Sequence, residues 1–426
     1  MRILILACVL FVIPVAAQES RPAAPVGPVP SQQDVDAAIL KGASILVGLQ
    51  ESYGDEGNPA RAGQYPRLKT DDARLAHDEK VRGWLRSKQT AQSAEWPYEG
   101  VYREKGVIPP GYRVGGTSIA CLALLAAPEF ASDKVRRASF DKGLEFVLKE
   151  LEKNPDLFAG FNATYDVRGW AHAYGLELCL TALDMKVLKP EVATRAERMA
   201  KTLVRVLEET EIKKTGGWNY ARRGGYEKPT PASPFMTAPT LMFLFHAKAR
   251  GLSVDASVVD RALKSIEDAR LDNDAFQYST NPSRKSATGG DDVPGACARM
   301  AAAELVLHLA GRGGVDRIRR AVDAFFTHWG ELEVRRRQSG THIPPYMVAP
   351  YYFHFGHRYA ALAIEQLPEN ERPALRDRLR ATYWKTRESN GAWNDREFVR
   401  SESFGTAMAM LGLATPNAPA PAVWKP

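Results

Sequence analysis

The 426-residue sequence predicts an all-α fold in which about six helical hairpins close into two concentric layers, an α/α toroid. Three observations support this prediction. Apolar residues recur at helical spacing, and alternating strand patterns are scarce. Amphipathic segments alternate with segments that are apolar nearly all round. A turn that carries Gly and Trp also recurs, and such internal repetition indicates repeat units that pack on their neighbours.

The N-terminus predicts a cleavable export signal. Met1 and Arg2 precede an apolar run over residues 3–15, and the small residues Ala-Ala-Gln follow at 16–18. This is the layout of a secretory signal peptide. We therefore expect residues 1–17 to be removed and the mature protein to be secreted or periplasmic.

Two Pro-rich segments flank the predicted repeat domain. Residues 18–33 contain four prolines and are expected to form an extended linker. Residues 416–426 are expected to form a Pro-rich tail, so the toroid is predicted over 34–415. No segment after the signal has the roughly 20 consecutive apolar residues of a membrane span. The mature chain is therefore expected to have no transmembrane span.

The helical segments fall into two kinds. Those predicted for the outer layer are amphipathic and charged on one side: 34–50, 135–152, 191–209, 256–269, 315–331 and 373–387. Those predicted for the inner layer are rich in Ala, Leu, Gly and Thr: 116–126, 169–183, 236–249, 293–310, 351–366 and 404–413. A helix that is apolar all round must be covered on two sides. We expect a closed ring because an open solenoid would expose these inner helices to water.

The connections between these helices predict the position of a site. Connections from inner to outer helices are short, whereas those from outer to inner helices are long and hold most of the Trp, Tyr and Pro residues. In a ring, the long connections share one face with the N-termini of the inner helices, which favour anionic groups. A ligand site is expected on that face. The longest connection, 51–95, is expected to cap it.

Charge and cysteine content restrict the possible partners. The formal net charge of +7 is mild for this length, and the basic runs 317–320 and 335–337 are expected on solvated helix faces. No nucleic-acid partner is predicted. The odd number of cysteines after the signal, Cys121, Cys179 and Cys297, argues against a disulfide framework and favours buried thiols.

Several motifs resemble the repeats of squalene–hopene cyclases and the β subunits of protein prenyltransferases. They are Gly217-Trp218, Gly391-Ala392-Trp393, the segment Leu-Val-Gly-Leu-Gln at 46–50 and the helix around Thr406. Segments 96–100 and 111–117 are similar to exported bacterial proteins with such repeats. The resemblance implies the toroid fold. It also implies a structural role for Gln50, Trp218 and Trp393, with aromatic walls for a prenyl chain as the alternative.

The chemistry of those families is only partly represented. Triterpene cyclisation requires an Asp-x-Asp-Asp acid, which the sequence lacks, so a terpene cyclase is not expected. The resemblance to prenyltransferases implies a zinc site, for which Asp292, Cys297 and His357 are the candidates. Gly295 stands where that family places its Asp, two residues before the Cys. The alternative is that Cys297 packs in the core and no metal binds.

The segment 351–359 contains the highest density of functional side chains in the sequence. Tyr352, His354 and His357 are the candidate catalytic residues, since the two histidines are three apart and share a helix face, with Arg358 beside them as an anion clamp. The alternative is that the aromatic residues fill the core and the imidazoles bond neighbouring helix ends.

A different class of function is open as well. Exported α/α barrels include polysaccharide lyases, which use Tyr or His as a base and Arg or Asn to stabilise a uronate. The candidates for these roles are Tyr352, His354, His357, Arg113, Arg168 and Asn162. A glycosidase would use paired carboxylates, Glu99 with Asp291 or Asp292. A non-catalytic scaffold is the remaining hypothesis. Across these hypotheses the ligand is a small molecule, a lipid-like molecule or a glycan, bound by residues expected around the mouth of the ring: Trp96, Tyr98, Glu99, Arg113, Arg168, His172 and Arg358.

Overall fold

The computed structural model describes most of the repeat domain: residues 27–51, 94–98, 108–157, 167–219, 231–336, 344–396 and 401–426, with 70, 72–73, 76–77, 79–80, 83 and 342. The predicted signal peptide and most of the 51–95 connection lie outside these residues. Where the chain is described it forms 13 α-helices and no strands. The predicted all-α class is therefore confirmed.

The outer helices are α1 (Gln32–Leu49), α3 (Lys134–Lys153), α5 (Pro190–Thr210), α7 (Ala256–Ala269), α9 (Val315–Thr327) and α12 (Arg372–Thr386). The inner helices are α2 (Pro110–Ala126), α4 (Arg168–Asp184), α6 (Pro234–Ala249), α8 (Val293–Leu309), α11 (Tyr352–Ile364) and α13 (Ser401–Ala414). A short helix, α10 (Trp329–Arg336), follows α9.

The inner helices form a closed ring. Each of α2, α4, α6, α8 and α11 packs against the next inner helix, and α13 packs against both α11 and α2. The outer helix α1 packs on α13, and Arg380 of α12 donates a 2.6 Å hydrogen bond to Gln32 of α1. The first and last hairpins therefore meet, which confirms the toroid and excludes the open solenoid.

Burial follows the two layers as the sequence pattern predicts. The outer helix α5 buries one stripe that includes Met199, Leu203 and Leu207 and leaves its other side in solvent. The inner helix α8 is buried on every side, including the charged Arg299 and Glu304. A helix with no exposed face needs neighbours on both sides, and the ring supplies them.

The long connections lie on one face of the ring, which we call the loop face. The backbone N–H of Thr280 donates to Ala232 O at 2.8 Å, which joins the 270–292 and 211–233 connections. The hydroxyls of Tyr278 and Tyr351 are 3.0 Å apart and join the next pair. These contacts place the connections beside one another at the N-termini of the inner helices.

Three tryptophans, Trp96, Trp218 and Trp393, make the same two hydrogen bonds on the loop face. Each indole N–H donates to a carbonyl in the last turn of the preceding outer helix, at 2.7, 2.9 and 2.9 Å for Leu46, Leu207 and Tyr383. Each backbone N–H donates to a threonine hydroxyl of the following inner helix, at 2.9, 3.0 and 3.1 Å for Thr117, Thr237 and Thr406. Each tryptophan thus joins an outer helix to its inner partner.

Gln50 makes a comparable link between neighbouring outer helices. Its amide donates to Ser139 O at 2.8 Å, and the Ser139 hydroxyl donates to Gln50 Oε1 at 2.6 Å. These bonds connect the end of α1 to α3. The contacts of Gln50, Trp218 and Trp393 are those that a structural role requires, and they support that role.

Three departures of the helix boundaries from the sequence prediction have a local structural explanation. Helix α1 begins at Gln32, because Ser31 forms a capping box with Asp34, so the end of the predicted linker belongs to the fold. Helix α2 begins at Pro110, six residues before the predicted start, because Pro fits the first helical turn. The predicted helix 315–331 is divided at His328 into α9 and α10.

The C-terminal segment covers the end of the ring opposite the loop face. The Trp424 ring packs against Phe245 at 5.3 Å between centroids, and its backbone N–H donates to Leu309 O at 2.9 Å. Phe245 and Leu309 lie near the C-termini of α6 and α8. The predicted Pro-rich tail is therefore packed against the ring. Within the described residues, no helix is long and apolar enough to cross a membrane.

His246 lies at the same end of the ring, between two carboxylates. Its ring nitrogens are 2.9 Å from Glu177 Oε2 and 2.6 Å from Asp184 Oδ2, and Arg250 also pairs with Asp184. Burial lowers the pKa of His246, but the hydrogen bond and charge of Glu177 outweigh it and leave the pKa raised above 6.5. The protonated imidazole is therefore favoured in the folded state.

We expect His246 to stabilise the protein more in mildly acidic than in alkaline solution. Because its folded pKa is raised, its contribution is fully present below the unfolded pKa and is lost as the pH rises through the folded value. His246→Gln should lower the thermal unfolding midpoint at about pH 5.5, by an amount equivalent to about 1 kcal/mol, and much less at about pH 8.5. An equal loss at both pH values would contradict this assignment.

Candidate functional site

Five aromatic side chains meet at the centre of the loop face and form what we call the aromatic floor: Tyr98, Trp170, Phe235, Tyr352 and Phe404. Trp170 and Phe235 are stacked, with centroids 5.7 Å apart and an interplanar angle of 10°. The Phe235–Tyr352 and Tyr98–Phe404 centroid distances are 4.8 and 4.7 Å. All five side chains are buried. They form one continuous aromatic surface.

The ring architecture explains why these residues meet. Trp170, Phe235, Tyr352 and Phe404 lie in the first turns of α4, α6, α11 and α13. In a ring whose inner helices all begin on one face, inward-facing residues of the first turns converge on the axis. Gly115 of α2 provides room, because a Cβ there would lie 2.0 Å from Trp170 Cδ1.

Several buried polar atoms around Phe235 have no hydrogen-bond partner among the described residues. They are Trp170 Nε1, Ser233 Oγ, Thr280 Oγ1 and the Tyr352 hydroxyl. Ser233 precedes Phe235 by two residues, and the backbone of Thr280 is bonded to the neighbouring Ala232. A buried unpaired polar group costs about 1–3 kcal/mol, so such a concentration indicates groups that a ligand or water would satisfy. The aromatic floor and these four atoms are called the loop-end site.

The hydroxyls of Tyr352 and Tyr174 are un-ionised at neutral pH. Burial raises the pKa of Tyr352 well above 10. Below the floor, the hydroxyls of Tyr174 and Tyr359 are 3.4 Å apart, and burial raises the pKa of Tyr174 to about 12. These groups can therefore donate or accept hydrogen bonds, but they are poor general bases.

Arg299 organises the connection beside Tyr352. Its buried guanidinium donates to the carbonyls of Phe276, Gly295 and Gly290 at 2.8, 2.9 and 2.7 Å, and to Asp291 at 3.0 Å. Its Cζ lies 5.8 Å from the centroid of the Tyr352 ring. Arg299 thus holds the 270–292 connection against the floor.

Of the carboxylate pair expected from the sequence, the structure describes only the two aspartates. Asp291 is bonded to Arg299, to Arg284 and to the N–H of Tyr278, the last at 2.5 Å, so its oxygens are engaged as acceptors. Asp292 caps α8 by accepting from Val293 N–H at 2.8 Å. Glu99 lies outside the described residues. Asp291 is therefore occupied by its ion pairs, and Asp292 serves as a helix cap.

His357 is held as a structural hydrogen-bond acceptor. The indole N–H of Trp329 can only donate, so His357 Nε2, at 2.9 Å, accepts from it. The proton is therefore on Nδ1, which donates to Phe353 O at 2.6 Å. Burial lowers the pKa of His357 to about 3. With its lone pair engaged and its ring enclosed, His357 does not fit the predicted role of a general base.

His354 shares that face of α11 and is also turned away from the aromatic floor. Its side chain is buried against α13, where a Cβ on Gly405 would lie 3.0 Å from His354 Nε2. Burial, and then the charges of His357 and Arg336, lower its pKa well below 6.5. The face of α11 that points to the ring axis carries Tyr352, Phe355 and Tyr359 instead.

A cluster of buried charges lies beside the start of α13, and we call it the rim cluster. Arg336 and Arg396 both bind Glu388, with an Arg336 Nη1–Glu388 Oε1 distance of 3.3 Å and an Arg396 Nε–Glu388 Oε1 distance of 3.0 Å. Asp395 and Glu402 are buried in the same region. Three carboxylates and two guanidiniums are thus buried close together in sequence or by ion pairs. Burying a charge costs free energy, and titratable groups that are perturbed by burial cluster at functional sites. The rim cluster is therefore a candidate part of the site.

The predicted zinc ligands do not come together. Asp292 caps α8, the Cys297 thiol donates to Pro294 O at 3.4 Å, and His357 is bonded to Trp329 and Phe353. Burial raises the pKa of Cys297 to about 12, which disfavours a thiolate. In the part of the chain that is described, no group of three or more His, Cys, Asp or Glu residues could hold a metal ion. The residues present do not fit zinc.

The other predicted ligand-binding residues are mostly engaged elsewhere, whereas Tyr98 is part of the floor. Arg113 forms a two-bond ion pair with Glu95, with both distances at 2.8 Å, and Trp96 bonds α1 and α2 as described above. Arg168 pairs with Asp156 at 2.7 Å, and His172 Nε2 is 3.0 Å from Pro155 O. Arg358 is partly exposed, and its charge acts on Tyr174, Tyr359 and Tyr383 below the floor.

Several residues of the site were missed by the sequence reasoning, namely Trp170, Ser233, Phe235, Thr280, Asp395, Glu402 and Phe404. A signal for the aromatic members was present in the sequence. An aromatic residue occurs within the first four positions of five inner helices: Tyr112, Trp170, Phe235, Tyr352 and Phe404. The polar members carried no such repeating signal.

Comparisons with known proteins support the architecture. No protein-family model and no curated protein matches the chain. The unsaturated glucuronyl hydrolase from Streptococcus agalactiae superposes with a TM-score of 0.50 at 12% identity, over 93% of this chain and 95% of that one. The GH76A α-1,6-mannanase from a Salegentibacter species gives a TM-score of 0.46 at 13% identity, over 72% and 90%. Both are α/α-toroid enzymes, and the likeness extends to the fold.

Proposed function

We propose that the loop-end site binds a glycan and that the protein hydrolyses glycosidic bonds there. The observation that carries this proposal is the combination of an aromatic floor with four buried, unpaired N–H and O–H groups around Phe235. Binding sites for small molecules typically combine an apolar lining with a few polar groups that fix orientation. The loop-end site has this composition.

A sugar fits this composition better than a prenyl chain does. A sugar ring presents apolar C–H faces that stack on aromatic rings, and hydroxyls that pair with buried donors and acceptors. A hydrocarbon would leave Trp170 Nε1, Ser233 Oγ and Thr280 Oγ1 unpaired, at a cost of about 1–3 kcal/mol for each group. This favours the glycan over the lipid-like ligand and over the prenyltransferase-like function.

The titratable groups near the loop-end site favour hydrolysis of the glycosidic bond over elimination. A lyase needs a general base, but Tyr352 has a raised pKa, the lone pair of His357 is occupied, and His354 is buried against α13. A hydrolase needs carboxyl groups, and the rim cluster contains Asp395 and Glu402. The toroid fold is also that of the unsaturated glucuronyl hydrolase, which supports a hydrolase of glycans.

Replacing Phe235 by leucine should weaken glycan binding by about tenfold, because the stacked aromatic face is lost while most of the apolar volume remains. A panel of oligosaccharides, tested by isothermal titration calorimetry, would measure this. Phe140→Leu is the matched control, since Phe140 is equally buried but lies in the outer helix α3. Both variants should lose similar stability, about 1–2 kcal/mol. An equal loss of affinity in the two variants would contradict the assignment of the site.

Hydrolysis is tested by the release of new reducing ends from the same oligosaccharides. Asp395→Asn should reduce that rate by at least about a hundredfold while leaving affinity within about threefold, as expected for a group used in acid–base chemistry. Binding without release of reducing ends would leave a non-catalytic scaffold. If the panel contains no ligand at all, the proposed function is wrong.

A further inference from the structure

We infer that the glycan taken at the loop-end site is uncharged, built from neutral hexose or pentose units and not from uronic acids. This inference rests on the proposed function and names its substrate class. It follows from which side chains around the aromatic floor are already paired and which are not. A carboxylate-bearing sugar and a neutral sugar require different groups at these positions.

Recognition of a uronate requires a cation with free donors. A carboxylate that leaves water is best bound by an Arg fork in two parallel hydrogen bonds, or by a Lys. Three guanidiniums near the floor are already bound to acidic side chains. Arg113 pairs with Glu95, Arg168 with Asp156, and Arg299 with Asp291, at distances of 2.8, 2.7 and 3.0 Å. These three guanidiniums could bind a uronate only if their ion pairs broke.

The four unpaired groups of the loop-end site are neutral. Trp170 Nε1 is a donor only, whereas the hydroxyls of Ser233, Thr280 and Tyr352 can each donate and accept. Sugar hydroxyls have the same dual capacity, so they can satisfy this set without a change in charge. A carboxylate could use the donors but would leave the acceptor capacity of the hydroxyls unused.

The imidazoles of His354 and His357 add no positive charge. His354 and His357 are both buried, and their lowered pKa values keep them neutral at neutral pH. The groups that face the two histidines do not favour their protonated forms. Arg336 acts on both from α10 and disfavours protonation further, while Trp329, Phe353 and the backbone of Asn394 are uncharged.

The test compares length-matched neutral and uronate-containing oligosaccharides by isothermal titration calorimetry, at roughly 20 and 300 mM NaCl, where ionic screening differs strongly. We expect neutral sugars to bind at least about ten times more tightly than uronates, and their affinity to change less than about twofold with salt. Trp170→Phe and Tyr352→Phe, which each remove one hydrogen-bonding group, should weaken neutral-sugar binding by about five- to tenfold.

Tyr383→Phe is the matched control. Its hydroxyl is also buried without a partner in the described residues, but it lies on α12 against Gly412, away from the floor. We expect it to leave affinity unchanged. Tighter and salt-sensitive binding of uronates would overturn the neutral class while leaving the proposed function in place. If Tyr383→Phe weakened binding as much as Tyr352→Phe, the loop-end site would be wrong. If neither set of sugars bound, the proposed function itself would fail.

Discussion

Gly116→Ala is expected to destabilise the protein by about 3–5 kcal/mol, because the added Cβ has no space. It would lie 2.4 Å from Trp96 O and 2.5 Å from Tyr98 N, and both are backbone atoms that cannot rotate away. Relief would require the 94–98 segment to move off α2. Chemical unfolding followed by circular dichroism would measure the loss.

Gly48→Ala is the control for this substitution. A Cβ on Gly48 would meet nothing within 4 Å, and Gly48 lies in the outer helix α1. Alanine should therefore stabilise the protein by up to about 1 kcal/mol through its helix propensity. Equal effects of the two substitutions, or a tolerated Gly116→Ala, would contradict the close packing of Trp96 and Tyr98 on α2.

Trp218→Phe and Trp393→Phe should each lower the free energy of unfolding by about 2–3 kcal/mol. The change leaves the carbonyl of Leu207 or Tyr383 without its indole donor in a buried position and also removes ring contacts. The alanine variants should lose about 3–5 kcal/mol. Denaturant titration would give both values.

Trp424→Phe provides the comparison for the two tryptophan variants, since Trp424 is only partly buried at the opposite end of the ring. Trp424→Phe should lower the free energy of unfolding by less than about 1 kcal/mol. Measuring the affinity for the glycan separates a structural role from a binding role. Trp218→Phe should leave this affinity unchanged, whereas Trp170→Phe should weaken it. Loss of affinity without loss of stability in Trp218→Phe would contradict the structural assignment.

The helices could be predicted from the sequence because their patterns are local. The outer segment 191–209 shows one apolar stripe, and the structure forms α5 over Pro190–Thr210 with that stripe buried. The repeated hairpins also predicted ring closure, since the inner helices have no face that tolerates water. Both properties depend on spacing along a single helix.

The site was predicted less well because its members come from different helices. The sequence predicts His354 and His357 as catalytic residues because they share a helix face. A helix that is apolar nearly all round, however, has no pattern that shows which side points to the ring axis. In the structure that side carries Tyr352, Phe355 and Tyr359. The histidines face α13 and Trp329 instead.

The proposed zinc ligands show the same limit. Asp292, Cys297 and His357 had chemically suitable side chains, but coordination requires their atoms to converge within about 2 Å of one point. In the folded chain, helix rotation and capping direct these side chains to different partners, because Asp292 caps α8 and Cys297 points to backbone carbonyls. Side-chain chemistry alone could not predict these directions.

Sequence by itself determined the all-α class, the order and layer of the helices, and which connections are long. These properties follow from hydrophobic spacing, which acts over a few residues. Only the tertiary structure decided that Trp170, Phe235, Tyr352 and Phe404 meet on the axis, and that Arg113, Arg168 and Arg299 are already paired. Those outcomes depend on the rotation of each helix within the closed ring, where contacts between distant segments set the free energy.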